Sequence, residues 1–171
     1  MDLLATILAK HSLEQTNIIV NYAGNDPKRF AALMQLFLKG EYRVTQRASW
    51  PLRICVEHHP ELIKPWFAEL LKKLQEPGTH NAVTRNMVRM LQEVPIPKRY
   101  HGQIMTLCFN WIADVNAPAA VKAFSLSILH KFTKDYPEIS GELVMIIKER
   151  WDHETAAFHS RGRRILKALK A

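Results

Sequence analysis

The chain has little of what most catalytic and membrane folds require. No run of β-branched residues alternates with polar ones between hairpin turns, so nothing in it predicts a sheet. Cysteine is limited to Cys55 and Cys108, both inside apolar helical patterns. That number builds no disulfide framework, and the expectation is a protein of the reducing cytoplasm. With only six glycines, neither Gly-x-Gly-x-x-Gly nor Gly-x-x-x-x-Gly-Lys occurs, so no backbone cradle for a phosphate is visible. Gly-x-Ser-x-Gly is missing too, and with it a nucleophile elbow. No segment approaches the roughly 18 uncharged apolar residues of a membrane span. The opening stretch carries Asp2 early and Lys10 late, the wrong polarity for a secretory signal.

Metal and catalytic constellations are equally sparse. There are eight histidines, but His58 and His59 are adjacent and point about 100° apart on a helix. His153 and His159 fall on different faces, and neither His-Glu-x-x-His nor Cys-x-x-Cys occurs. No metal and no cofactor are expected, and the histidines read as surface or helix-end residues. Cys55 lies three residues before His58, which places thiol and imidazole on one face, yet a cysteine in an apolar run belongs to the core. Asp114 and Asp152, near Trp111 and Trp151, read as helix-end carboxylates. No acid–base pair stands out, so an enzyme is not expected.

What is present is charge and helical periodicity. Lys and Arg number 24 against 16 Asp and Glu, giving +8 and a pI near 9.7. This balance attracts polyanions. At 171 residues the chain fits one domain with its own core. Asn25-Asp26-Pro27 marks a helix start, with Asp26 as cap and Pro27 in the first turn. That helix runs to Gly40, and Phe30, Leu33, Met34 and Phe37 form its apolar stripe. Further helices are predicted at about 41–58, 60–76, 81–93, 97–114, 117–135, 137–151 and 155–170. Pro60, Pro97 and Pro137 each open one of these segments, and Ile139, Leu143, Ile146, Ile147 and Trp151 form a later stripe. Ser12-Leu13-Glu14-Gln15 has capping-box spacing, so two shorter helices at 2–10 and 13–22 precede the series.

The series repeats. Val44-Thr45-Gln46-Arg47-Ala48 aligns with Val83-Thr84-Arg85-Asn86, with Val121-Lys122-Ala123 and with Phe158-His159-Ser160-Arg161-Gly162. The basic residues 47, 85, 122 and 161 are separated by steps of 38, 37 and 39, and the opening prolines keep nearly the same step. The pattern resembles the HEAT-repeat family of the armadillo-like group, whose second helices carry an early valine and then an arginine. The closing stretch from Ala156 to Leu166 also resembles small bacterial HEAT-like proteins. The resemblance implies an all-α, right-handed α-α superhelix: a capping pair at 1–26, then four helix pairs at about 27–59, 60–95, 96–136 and 137–171 in a single domain. The family's aspartate between paired helices is missing in most repeats, where Glu41, Asn81, Asn116 and Glu154 stand nearby. Glu or Asn is expected to play a weaker version of its role. Stacked pairs bury a continuous core, and the second helices line the inner, concave surface such proteins use for binding.

Arg47, Arg85, Lys122 and Arg161 therefore form a column. It reads either as a positive stripe for phosphates or acidic peptide, or as a structural ladder bonding inter-repeat carbonyls, as in the family generally. Arg43, Arg53, Arg89, Arg163 and Arg164 lie around it. Trp66 and Trp111 read as packing between repeats. Trp50, one turn after Arg47 and before a proline expected to kink or loosen its helix, reads as part-exposed on the inner face. From His159 to the end there are five basic residues and no acid, with Arg161, Arg163 and Arg164 expected near a helix start, where the dipole disfavours them.

The candidate binding residues are thus Arg47, Trp50, Arg85, Arg89, Lys122, Arg161, Arg163 and Arg164. The favoured expectation is a non-catalytic scaffold binding an acidic protein or peptide, with no membrane partner. Nucleic-acid binding through the basic column and last helix is the alternative, and oligomeric state is left open. Helical-repeat DNA glycosylases for alkylated bases share the broad architecture, but their catalytic Asp, Trp and Arg set does not map onto this chain.

Overall fold

A computed structural model describes residues 1–171 as ten α-helices and no strand. The chain divides into two compact units, 1–95 and 96–171.

The first unit contains α1 (Leu3–Ala9), α2 (Leu13–Ala23), α3 (Pro27–Lys39), α4 (Tyr42–His58), α5 (Phe67–Gln75) and α6 (Asn81–Glu93). Polar side chains close the early helix starts. Asp2 accepts from the Ala5 N–H, Ser12 from Gln15, and Asp26 from both Lys28 and Arg29. The capping box at Ser12 forms by half: the Gln15 amide donates to the Thr6 carbonyl at 2.7 Å instead, tying α2 to α1. Phe30, Leu33, Met34 and Phe37 of α3 are all buried, as the stripe predicts. Gly40 ends α3 with φ −69°, so its role is space rather than a left-handed turn. A Cβ there would lie against the Leu36 carbonyl and 2.8 Å from Val44 Cγ1. α4 is the centre of this unit, packing against α1, α2, α3 and α6. It runs uninterrupted through the buried Pro51, contrary to the expected loosening.

The second unit contains α7 (His101–Ala113), α8 (Ala119–Phe132), α9 (Ser140–Arg150) and α10 (Ala156–Leu169). α7 packs on α8, α9 on α10, and the second helices α8 and α10 lie against each other. In the first unit α4 and α6 make the same contact, so helix pairs stack in layers within each unit.

The proline-opened segments differ from the expectation. Pro60–Trp66, Lys98–Tyr100 and Pro137–Ile139 are 3-10 turns leading into α5, α7 and α9. Their bonds skip three residues, as from Tyr100 N–H to the Pro97 carbonyl at 2.9 Å. Trp66, Trp111 and Trp151 are also less enclosed than expected, being only half-buried, and Trp50, expected to be part-exposed, is half-buried as well.

Candidate functional site

The four second helices α4, α6, α8 and α10 are almost free of acid. Their only carboxylates are Glu57 and Glu93, each at the last turn of its helix. Most candidate residues lie here, and the structure sorts them by what their cationic groups already hold.

Three of the four recurring basic residues are bonded about one repeat away. Arg47 donates from Nη1 to the carbonyls of Leu8 at 2.6 Å and Ile7 at 3.5 Å. These belong to the last turn of α1, where carbonyls have no helical donor. Lys122, 3% exposed, places Nζ 2.7 Å from Glu154 Oε1 and 3.3 Å from the Val115 carbonyl. Arg150 reaches the same carboxylate oxygen through Nη2 at 2.7 Å and Nε at 3.1 Å. Burial alone would raise the Glu154 carboxyl, but the hydrogen bonds and charges of Lys122 and Arg150 hold it below its ordinary value. Arg161 donates from Nε to Ser127 Oγ at 3.1 Å, with its guanidinium 5.4 Å over the Phe124 ring. Glu154 therefore serves where the sequence suggested a substitute for the missing aspartate, and this arrangement is structural in geometry.

The fourth member is different. Arg85 is exposed and has no hydrogen bond or ion pair, and the same holds for Arg89 one turn later on α6. Arg89 lines a cleft of about 350 Å³ with Asn86, Ser49, Trp50 and Arg53. Residues 49, 50 and 53 come from one strip of α4, and 86 and 89 from the facing strip of α6. Trp50 is half-buried, with its ring centroid 5.8 Å from that of His11. Arg53 is paired along its helix with Glu57 at 2.7 Å. No carboxylate lines the cleft. The structure thus brings Trp50 and Arg89 together and adds Ser49, Arg53 and Asn86. Asn86 was missed because a lone asparagine on a helix carries no sequence signal. Its place beside Arg85 at the repeat's basic position is the only hint.

A family model for the HEAT repeat domain matches residues 4–169. The chain belongs to the HEAT repeat family. No curated protein and no solved structure matches it. HEAT repeats generally mediate protein–protein interaction and typically act as non-catalytic scaffolds. The thiols of this HEAT-repeat chain suit that role. Burial pushes Cys55 up to about 11 and Cys108 up to about 12, so neither is a thiolate at neutral pH. His58 is exposed while Cys55 is fully buried, so they form no nucleophile–base pair. No helix is long and apolar enough to cross a membrane.

Arg163 and Arg164 are exposed on α10. Because that helix begins at Ala156, both lie well past its first turn, and the expected conflict with the helix dipole does not arise. His159, read as a surface or helix-end residue, instead stacks on Trp151 at 4.5 Å and bonds its carbonyl at 2.7 Å. His101 likewise has an internal task, bridging the Ile96 carbonyl and the Tyr136 hydroxyl.

Proposed function

We propose that this HEAT-repeat protein is a non-catalytic scaffold that holds an acidic segment of a protein partner in the α4–α6 cleft. The observation that carries the reading is the cleft's make-up: an unpaired Arg89, a half-buried Trp50 and no carboxylate. Arg and Trp are the residues that dominate protein interfaces, because each combines a large contact area with directional polar groups. Trp50 offers an apolar wall for an anchoring side chain. Arg89 and Arg85 offer cations free to meet Asp or Glu, and Asn86 offers an amide for the peptide backbone. Arg47 supports this face by tying α4 to the last turn of α1.

The test is an array of Asp- and Glu-rich peptides, each with one apolar anchor. The tightest binder is then titrated by fluorescence anisotropy against wild type, Trp50→Ala and Arg89→Glu. Each variant is expected to weaken binding about tenfold or more, corresponding to roughly 1.4 kcal/mol. Wild-type affinity in both variants, with intact circular dichroism, would remove the cleft from the binding surface.

A further inference from the structure

Residues 96–171 carry a second cationic surface whose make-up differs from that of the cleft. α8 and α10 contain no Asp or Glu. Arg163, Arg164 and Lys167 of α10 fall within about 100° of arc at 3.6 residues per turn, on the side opposite the buried Phe158, Gly162 and Ile165. All three are exposed, and none has an ion-pair partner. The contact made by Arg163 is with a ring face, its guanidinium 5.9 Å from the Trp151 centroid.

Lys134, just past the end of α8, is exposed and unpaired as well; Asp135 beside it forms no ion pair with it. Arg164 and Lys134 both act on His130. Burial, and then the positive charges of Lys134 and Arg164, hold that imidazole below its ordinary value. Lys134 and Arg164 therefore both lie near His130. Glu154, the acid of this unit that forms ion pairs, is already held by Lys122 and Arg150.

What the patch lacks selects its ligand. A protein interface is centred on a buried apolar or aromatic anchor. The exposed large apolar residues of this unit are Val115 and Met145, and neither lies on α8 or α10. The aromatic beside the patch, Trp151, is half-buried and already stacked on His159. What the patch presents is therefore unpaired cations, which suit a phosphate backbone, where affinity comes from neutralised charge and released counterions.

We infer that the α8–α10 face binds the phosphodiester backbone of nucleic acid, with Arg163, Arg164, Lys167 and Lys134 as its contacts. The arrangement offers charge and no array of exposed aromatics or amides for reading bases, so binding is sequence-independent and steeply salt-dependent. It stands apart from the α4–α6 cleft and does not depend on the peptide reading.

The experiment measures anisotropy of labelled duplex DNA and RNA with the full chain across a salt series. Variants are Arg163→Gln/Arg164→Gln/Lys167→Gln, the charge-keeping Arg163→Lys/Arg164→Lys, and Lys28→Gln/Lys64→Gln, two exposed cations outside both sites, as a control in the first unit. Circular dichroism confirms folding, and polyglutamate and phosphatidylserine vesicles serve as competing polyanions. Removing three phosphate contacts is expected to flatten the log–log salt slope on duplex DNA by about 2.7, from about 0.9 per contact. The charge-keeping variant and the control should keep the wild-type slope. Three results would overturn the inference: no binding at low salt, an unchanged slope in the triple Gln variant, or polyglutamate or vesicles competing as well as nucleic acid.

Discussion

At Glu154 two cations meet one carboxylate, with Lys122 and Glu154 side chains each only 3% exposed. Removing the acid leaves Lys122 buried without its counter-charge. Glu154→Ala is therefore expected to destabilise the fold by about 3 kcal/mol, in the range for a broken buried pair. Lys122→Met costs less, because Arg150 still satisfies Glu154. Urea midpoints would rank the two, and the reverse order would refute this account. The pH dependence follows from the depressed carboxyl. Unfolded, the group takes up its proton near 4.5; folded, it does so lower. Its stabilisation is complete above about that value and disappears as pH falls through the folded value. The wild-type advantage over Glu154→Gln should shrink along that acid limb and stay flat at neutral pH. Gly162 makes a second residue-scale case. A Cβ there would lie 2.9 Å from Trp151 Cζ3 and 3.2 Å from Ile147 Cγ2, whereas at Gly102 or Gly141 it meets nothing within 4 Å. Gly162→Ala should lower stability by about 1–3 kcal/mol through overpacking, and Gly141→Ala should raise it by about 0.4–1 kcal/mol. Thermal melts decide both signs.

A seven-residue helix is too short to persist alone, so α1 depends on what holds its ends. Asp2 closes one end, and the Arg47 guanidinium closes the other by donating to Leu8 and Ile7. Arg47→Met keeps the aliphatic stem and removes those donors. Amide exchange over residues 3–9 should then quicken while α3 and the body of α4 keep wild-type protection. Uniformly faster exchange across the unit would show that Arg47 stabilises the whole layer instead. The 3-10 turns before α5, α7 and α9 have their origin at the same scale. Proline at a helix start suits either helix type, because its missing N–H is unneeded there. Within Pro60–Trp66 a second proline, Pro65, removes a donor the α-ladder would need four residues back. Helix and 3-10 turn therefore look alike in sequence at these positions, and only the tertiary contacts of the lead-in separate them.

Over the whole molecule, positive charge collects on the second helices while most acids sit on the first helices and connections. A net charge of +8 would act as a diffuse field if both signs were mixed evenly. Segregated, it gives each unit second helices that favour anions. The two proposed sites should respond differently to salt, because the cleft adds Trp50 contact to charge, whereas the Trp151 ring beside the α8–α10 cations is taken up by His159. Affinity for an acidic, anchored peptide is expected to fall less steeply with ionic strength than affinity for duplex DNA. Parallel titrations of both ligands measure this, and equal slopes would argue for one common electrostatic surface.

Sequence alone was enough for the ten α-helices and their order. These follow from local signals: apolar residues at three- and four-residue steps, Asp26 and Ser12 at helix starts, and basic residues recurring at 47, 85, 122 and 161. It also placed the family, since a helix pair that cannot bury its own apolar face must stack on a neighbour of the same kind. Tertiary structure decided which cations remain available. Arg47 meets carbonyls 39 and 40 residues away, Lys122 a carboxylate 32 away, and Arg161 a hydroxyl 34 away, whereas Arg85 and Arg89 meet no such partner. In sequence the four recurring basic residues are equivalent. A guanidinium or ammonium group becomes structural or free according to what the next layer brings within about 3 Å, and that distance is set by packing between segments a repeat apart.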